Sequence, residues 1–314
     1  MMVTLTTPAT APPWHPVRVT TADGPGGELL LGVVDGRRDG DGPTFVVAQG
    51  FLAFVEPFEM QRFQVIAAML RARLVVVETP GAGFAVSRLL PKERRALLRG
   101  DFTVPARRML RAATEVIGAR HADGPVGPVG VLGYSLGASF AAAMAAVSGT
   151  AETGPAVREV VLVEPVAVRH WSAAALVSAV RRENRRVGPY LDETATVTGA
   201  VRPLEARPGE KPATLRHGDL LLLANALRAA RLTDDLVTAT RRPDRRLGRL
   251  VVVRGEESLL SPRRDVHRLV TAAGWHGIAT RLLSVPGPHA FWQSLPAVGS
   301  VMAELGHTSA TLPS

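Results

Sequence analysis

The chain has 314 residues and a net charge of +9, almost wholly from arginine, since Lys92 and Lys211 are its lysines. At 46% hydrophobic residues it can bury a full core, and its length allows one large domain with an insertion or two smaller domains. It has no cysteine, which excludes disulfides, thiolate nucleophiles and cysteine-held metals. The arginines are spread over several segments with few aromatics between them, so no nucleic-acid partner is expected. Residues 1–16 lack the basic start and apolar stretch of a secretory signal and read as a flexible tail, on a protein expected in the cytoplasm. The longest apolar run, around Phe140 to Val147, is well short of the ~20 residues needed to span a bilayer, so no membrane association is expected.

Two early strands, Val17–Thr20 and Leu29–Val34, flank a turn-rich segment. Phe45–Ala48 follows as a short apolar run typical of a buried parallel strand. Phe63, Ile66, Ala67 and Leu70 then recur at helical spacing. Leu74–Val77 is the next strand. A charged helical region runs from Pro91 to Arg120, in which Leu97, Leu98, Met109 and Val116 are placed to face inward. Val129–Leu132 leads directly into Gly133-Tyr134-Ser135-Leu136-Gly137 and a helix of small residues. Val160–Val163, Leu250–Val253 and Leu282–Val285 complete the strands. This alternation predicts an α/β chain with a mostly parallel sheet and helices on both faces.

Between Glu164 and Arg249 the strand rhythm stops. Two helices are expected there, Trp171–Arg186 and roughly Asp219–Leu236, and about eighty residues exceed what one crossover requires. The segment reads as an inserted helical lid, its inner face expected from Leu176, Val177, Val180, Leu220, Leu223 and Leu227. The division is therefore a tail (1–16), a core (17–164 and 250–307) and a lid (165–249).

A serine between two glycines, on a sharp strand-to-helix turn, is a nucleophile elbow: the turn lifts the hydroxyl clear of the sheet. Ser135 then needs a base and a group to orient that base. Among the histidines, His289 stands out, in Gly287-Pro288-His289 just after the last strand, where such a sheet presents functional groups. Gln49-Gly50-Phe51-Leu52 follows the third strand. The main-chain N–H groups of Phe51 and Leu136 are thus the expected oxyanion donors. No histidine and carboxylate spacing suggests a metal, and no glycine-rich loop opens a helix to cradle phosphate, so neither metal nor cofactor is expected.

With these motifs in order, the chain resembles the α/β-hydrolase superfamily over most of its length. Glu78-Thr79-Pro80-Gly81-Ala82-Gly83-Phe84 is similar to the family's Asp-x-Pro-Gly-x-Gly loop, with Glu78 for the usual aspartate. Gln49 likewise stands where the family's oxyanion turn has histidine. The usual acid is missing: after the penultimate strand, Gly255-Glu256-Glu257-Ser258 has serine where many members have aspartate. Glu257 and Glu164 are the substitutes. The resemblance favours Glu164, because polyketide-type thioesterases and some dehalogenases carry their acid after that earlier strand.

The resemblance implies an α/β-hydrolase fold and a serine hydrolase acting on an ester, thioester or lactone through an acyl-serine. Epoxide hydrolase and dehalogenase relatives would need aspartate at the elbow. Acyl transfer or cyclisation on the same fold, and a ligand receptor without turnover, remain the alternatives. The expected partner is a small acyl compound, with anionic and carrier-linked forms left open, and Trp171 and Tyr134 are the expected substrate contacts.

Overall fold

A computed structural model describes residues 11–21, 27–38, 40–82, 85–119, 127–198, 215–241 and 247–309. Eight strands form one sheet in the order β1-β2-β4-β3-β5-β6-β7-β8. They are β1 (Trp14–Thr20), β2 (Glu28–Asp35), β3 (Thr44–Ala48), β4 (Arg73–Val77), β5 (Val129–Tyr134), β6 (Val157–Val163), β7 (Arg249–Gly255) and β8 (Ala279–Val285). The β1–β2 and β2–β4 pairs are antiparallel and the other pairs are parallel. Every expected strand is present. β1, however, begins at Trp14 instead of residue 17, because Trp14, His15 and Pro16 pair with Val34, Val33 and Gly32. Residues 1–10 of the expected tail lie outside the described residues.

The apolar strand runs form because both faces of the sheet are covered. On one face lie α1 (Pro57–Leu70) and α9 (Leu295–Ser309), which pack with Phe45, Val47, Leu74, Val76 and Val251. On the other lie α3 (Thr103–Gly118), α4 (Leu136–Val147) and α8 (Arg263–Trp275), against Val46, Val75, Val131, Leu162 and Val252. The helix of small residues, α4, is buried from Leu136 through Ala145, which suits its position between the sheet and other helices.

The charged helical region divides into α2 (Pro91–Leu98) and α3, interrupted at Gly100 with φ +71°. Leu97, Met109 and Val116 are buried as expected, but Leu98, the last residue of α2, is exposed. Between β6 and β7 lie α5 (Ala173–Thr198), α6 (His217–Leu227) and α7 (Leu232–Thr238). A single helix over 219–236 does not form: Ala230 takes φ 53°, a left-handed conformation that ends the helical run. The expected inner face also differs. Leu176, Leu223 and Leu227 are buried, Leu220 is half-buried, and Val177 and Val180 face solvent. The buried stripe of α5 is instead Leu176, Ala179 and Glu183. No helix among the described residues is long and apolar enough to cross a membrane.

Candidate active site

In-register parallel pairing brings the functional loops to one edge of the sheet. Ala48 aligns with Gly133, Tyr134 with Val163, Val163 with Val253, and Gly255 with Val285. The residues that follow β3, β5, β6, β7 and β8 therefore emerge together at the carboxyl ends, the position where open α/β sheets bind ligands.

Ser135 follows β5 with φ 55° and ψ −113°. That conformation costs a non-glycine residue roughly 1–3 kcal/mol and persists only where the surroundings enforce it. Its main-chain N–H donates to the Val163 carbonyl at 2.9 Å. The flanking glycines are needed because the chain passes itself closely. A Cβ on Gly133 would lie 2.2 Å from the Gly137 carbonyl oxygen, and one on Gly137 would lie 2.1 Å from that of Ala48.

His289 opens a short 3-10 turn (His289–Gln293) after β8. Its Nε2 lies 3.0 Å from Ser135 Oγ and its Nδ1 lies 2.6 Å from Glu164 Oε2. An ionised carboxylate only accepts, so Nδ1 carries the proton, and Nε2 presents its lone pair to the serine hydroxyl. Ser135 and His289 are 8% exposed and Glu164 is fully buried, so the relay is screened from water while the serine keeps a route to it.

Glu164 follows β6 with φ 53° and donates its main-chain N–H to the Val253 carbonyl at 2.8 Å. Its carboxylate lies over the end of β7. There Oε1 accepts the Gly255 N–H, and Oε2 accepts the Ser258 hydroxyl together with His289 Nδ1–H. Ser258 is therefore a donor to the Glu164 carboxylate, and its oxygen also accepts the Ser261 N–H at 3.1 Å. Arg254 is buried beneath this loop and donates to the Ser261 and Glu256 carbonyls at 3.1 and 3.2 Å. Burial pushes its guanidinium below the usual range, and nearby Glu164 acts in the opposite direction. Glu257 does not reach the site. Its side chain is 64% exposed and its carboxylate faces Arg186 at 3.8 Å.

The turn at Gln49–Leu52 lies against the elbow: a Cβ on Gly50 would sit 3.5 Å from Ser135 Cβ and 3.1 Å from the Tyr134 ring. The turn is held by Leu52 N–H donating to the Ala82 carbonyl at 3.0 Å and by Thr79 Oγ1 donating to the Gln49 carbonyl at 3.0 Å. Leu136 is the first residue of α4, where main-chain N–H groups have no partner within the helix. Glu78 stays out of the site. Its buried carboxylate accepts the Ser87 N–H and hydroxyl at 2.7 and 2.6 Å and closes its own loop. Gly83 and Phe84 of that loop lie outside the described residues.

The two residues expected to contact substrate, Tyr134 and Trp171, are both held by protein neighbours. The Tyr134 ring stacks on Trp292 and lies tilted against His289, with ring centroids at 5.9 and 5.5 Å, and its hydroxyl donates to the His289 carbonyl at 3.3 Å. Burial pushes that hydroxyl well above its usual range, so it stays neutral. Trp171 is 7% exposed in the core, and its indole N–H donates to the Val166 carbonyl at 2.9 Å. Arg228 closes the same junction by donating to the Trp171 carbonyl at 3.0 Å. Trp171 is thus held by packing just before α5. Sequence reasoning also missed Glu183, whose signal was a carboxylate at i+7 from Leu176 on the buried stripe of α5.

No protein-family model and no curated protein matches the sequence. Among solved structures, the chain is similar to a thioesterase domain from the curacin biosynthetic pathway, with 14% identity over 92% of this chain and 99% of that one, at a TM-score of 0.54. It is also similar to carboxyl esterase 2 from the mycorrhizal fungus Tuber melanosporum (15% identity, 97% and 88% covered, TM-score 0.56). Esterase LipW from Mycobacterium marinum matches at 17% identity over 96% and 83% of the two chains, with a TM-score of 0.55. The chain has the α/β-hydrolase fold, with an eight-stranded, mostly parallel sheet.

Proposed function

We propose that this protein is a serine hydrolase that cleaves a carboxylic ester or thioester through an acyl-serine intermediate. The observation that carries the reading is the continuous hydrogen-bonded relay from Ser135 through His289 to Glu164, at 3.0 and 2.6 Å. The esterase and thioesterase titles of its structural neighbours support the same reaction class.

Ser135 Oγ attacks the acyl carbonyl as its proton passes to His289 Nε2. Glu164 keeps Nδ1–H in place and stabilises the imidazolium that forms. The developing oxyanion is taken by the N–H groups of Phe51 and Leu136, fixed dipoles that need no reorganisation during reaction. His289 then returns the proton to the leaving oxygen or sulfur. A water molecule, deprotonated by the same imidazole, releases the acid and restores Ser135.

The test is turnover of p-nitrophenyl esters and acyl thioesters by the full chain and by Ser135→Ala. The reading requires measurable hydrolysis that falls to background in the variant without loss of fold. Equal turnover by both proteins would end it.

A further inference from the structure

Glu183 is a buried carboxylate that the proton relay does not use. It is 3% exposed on the inner face of α5, and its two oxygens are occupied by two main-chain amides. Oε1 accepts the Leu259 N–H, and Oε2 accepts the His289 N–H at 3.1 Å. One amide belongs to the proposed base. The other follows Ser258, which holds Glu164.

A single side chain of α5 thus ties the histidine loop to the loop after β7, whose Ser258 donates to Glu164. Seven residues further along the same helix, Tyr190 closes on the histidine loop. A Cβ on Gly287, which has φ +113°, would lie 2.5 Å from Tyr190 Cε2. The two contacts are about two helical turns apart, so α5 grips the loop at two points. Burying a carboxylate is costly unless donors meet it. Here the donors are main-chain groups, so the gain is a fixed loop geometry.

We propose that Glu183 is a positioning residue: by accepting the main-chain N–H groups of His289 and Leu259 it sets the imidazole's reach to Ser135 and Glu164. This makes α5 part of the catalytic apparatus as well as a cover. The inference rests on the serine hydrolase reading. It adds that displacement of α5 moves the base, so the insertion governs turnover through His289 in addition to any contact with substrate.

The variant that tests this is Glu183→Gln, which keeps side-chain volume but has one acceptor oxygen and one NH2 group. It must therefore set a donor against one of the two amides. In the full chain, kcat and KM on a p-nitrophenyl ester, the rate of fluorophosphonate labelling, and the downfield NMR signal of His289 Nδ1–H are measured. Arg182→Ala, on the solvent face of α5, serves as the control. The expected result for Glu183→Gln is a fall in kcat of roughly 10- to 100-fold, the range that a small misplacement of a reacting group can produce. KM should stay within about twofold. Labelling should slow in parallel, the Nδ1–H signal should shift or broaden, and circular dichroism should be retained.

A Glu183→Gln protein with wild-type kcat, labelling rate and Nδ1–H signal would overturn the proposal. So would a loss of activity that only tracks the folded fraction. A wild type that neither labels nor hydrolyses would instead sink the hydrolase reading, while the NMR signal, which needs no substrate, still reports whether Glu183 holds the ring.

Discussion

At the scale of single residues, the unconventional feature is the carboxylate that meets His289, the proposed acid. Glu164 sits one strand earlier than the position after β7, yet its carboxylate reaches across the end of β7 to His289. Ser258, occupying the vacated position, shares the same Oε2 atom with the imidazole. Glu164→Gln keeps the shape but cannot accept at every contact. When its oxygen faces Gly255, its NH2 faces Nδ1 and drives the imidazole into the tautomer that cannot accept the serine proton. By the measured effect of the equivalent Asp-to-Asn change in a serine protease, kcat should fall by about 10⁴. Glu257→Gln should stay within about twofold, since that carboxylate is exposed at the surface and its loss removes a weak ion pair. Steady-state kinetics of the two variants decides the ranking. The shared contact also makes the acid transferable. Glu164→Ala should be nearly inactive, and adding Ser258→Asp should restore at least about tenfold, as a carboxylate there points at the vacated acceptor position. No recovery would mean that the Ser258 position cannot reach Nδ1.

At the scale of elements, the segment between β6 and β7 departs furthest from expectation. Trp171 is held in the core with its indole N–H bonded, so Trp171→Ala should act mainly on stability. A loss of about 3–5 kcal/mol in urea unfolding is expected. Chain-length preference across an ester series should change less than stability does, and the reverse outcome would return Trp171 to the acyl pocket. On α7, burial raises the carboxyl of Asp235 to about 7, with Asp101 and Asp234 adding to the effect and Arg231 opposing it. Its folded value thus lies above the unfolded one, so the folded chain binds more protons between about pH 4 and 7. Stability should fall as pH rises through that window, with a slope of up to about 1.4 kcal/mol per pH unit from this group. Asp235→Asn should flatten that slope and be the more stable protein above pH 7. Thermal melts of both proteins across pH 4 to 8 test this.

At the scale of the whole molecule, the sheet was the most legible part. Its central strands are short apolar runs buried on both faces, and such runs stand out in any sequence. Ser135 and His289 were legible for a related reason: glycines mark sharp turns, and parallel strands in register bring the loops after them together. Glu164 was legible only as one of two choices, because separating it from Glu257 needs the direction in which each loop turns after its strand. Ser258, as a hydroxyl donor to Glu164, and Glu183, as an acceptor on the inner face of α5, depend on contacts 94 and 106 residues apart in sequence, and no local pattern encodes those. The inner face of the insertion was misjudged because Leu176, Val177 and Val180 are all apolar. Only tertiary packing selects which of them turns inward: Leu176 joins the buried core while Val177 and Val180 stay exposed.

The central claim is that Ser135 is a nucleophile activated by His289 and Glu164. Intact-protein mass spectrometry after treatment with a fluorophosphonate tests it most directly, because covalent capture needs no knowledge of the natural acyl group. One adduct per chain is expected, mapped by peptide digestion to Ser135, with none on Ser135→Ala and greatly slowed labelling on Glu164→Gln. A wild-type chain that remains unmodified, or an adduct on another residue that persists in Ser135→Ala, would contradict the account.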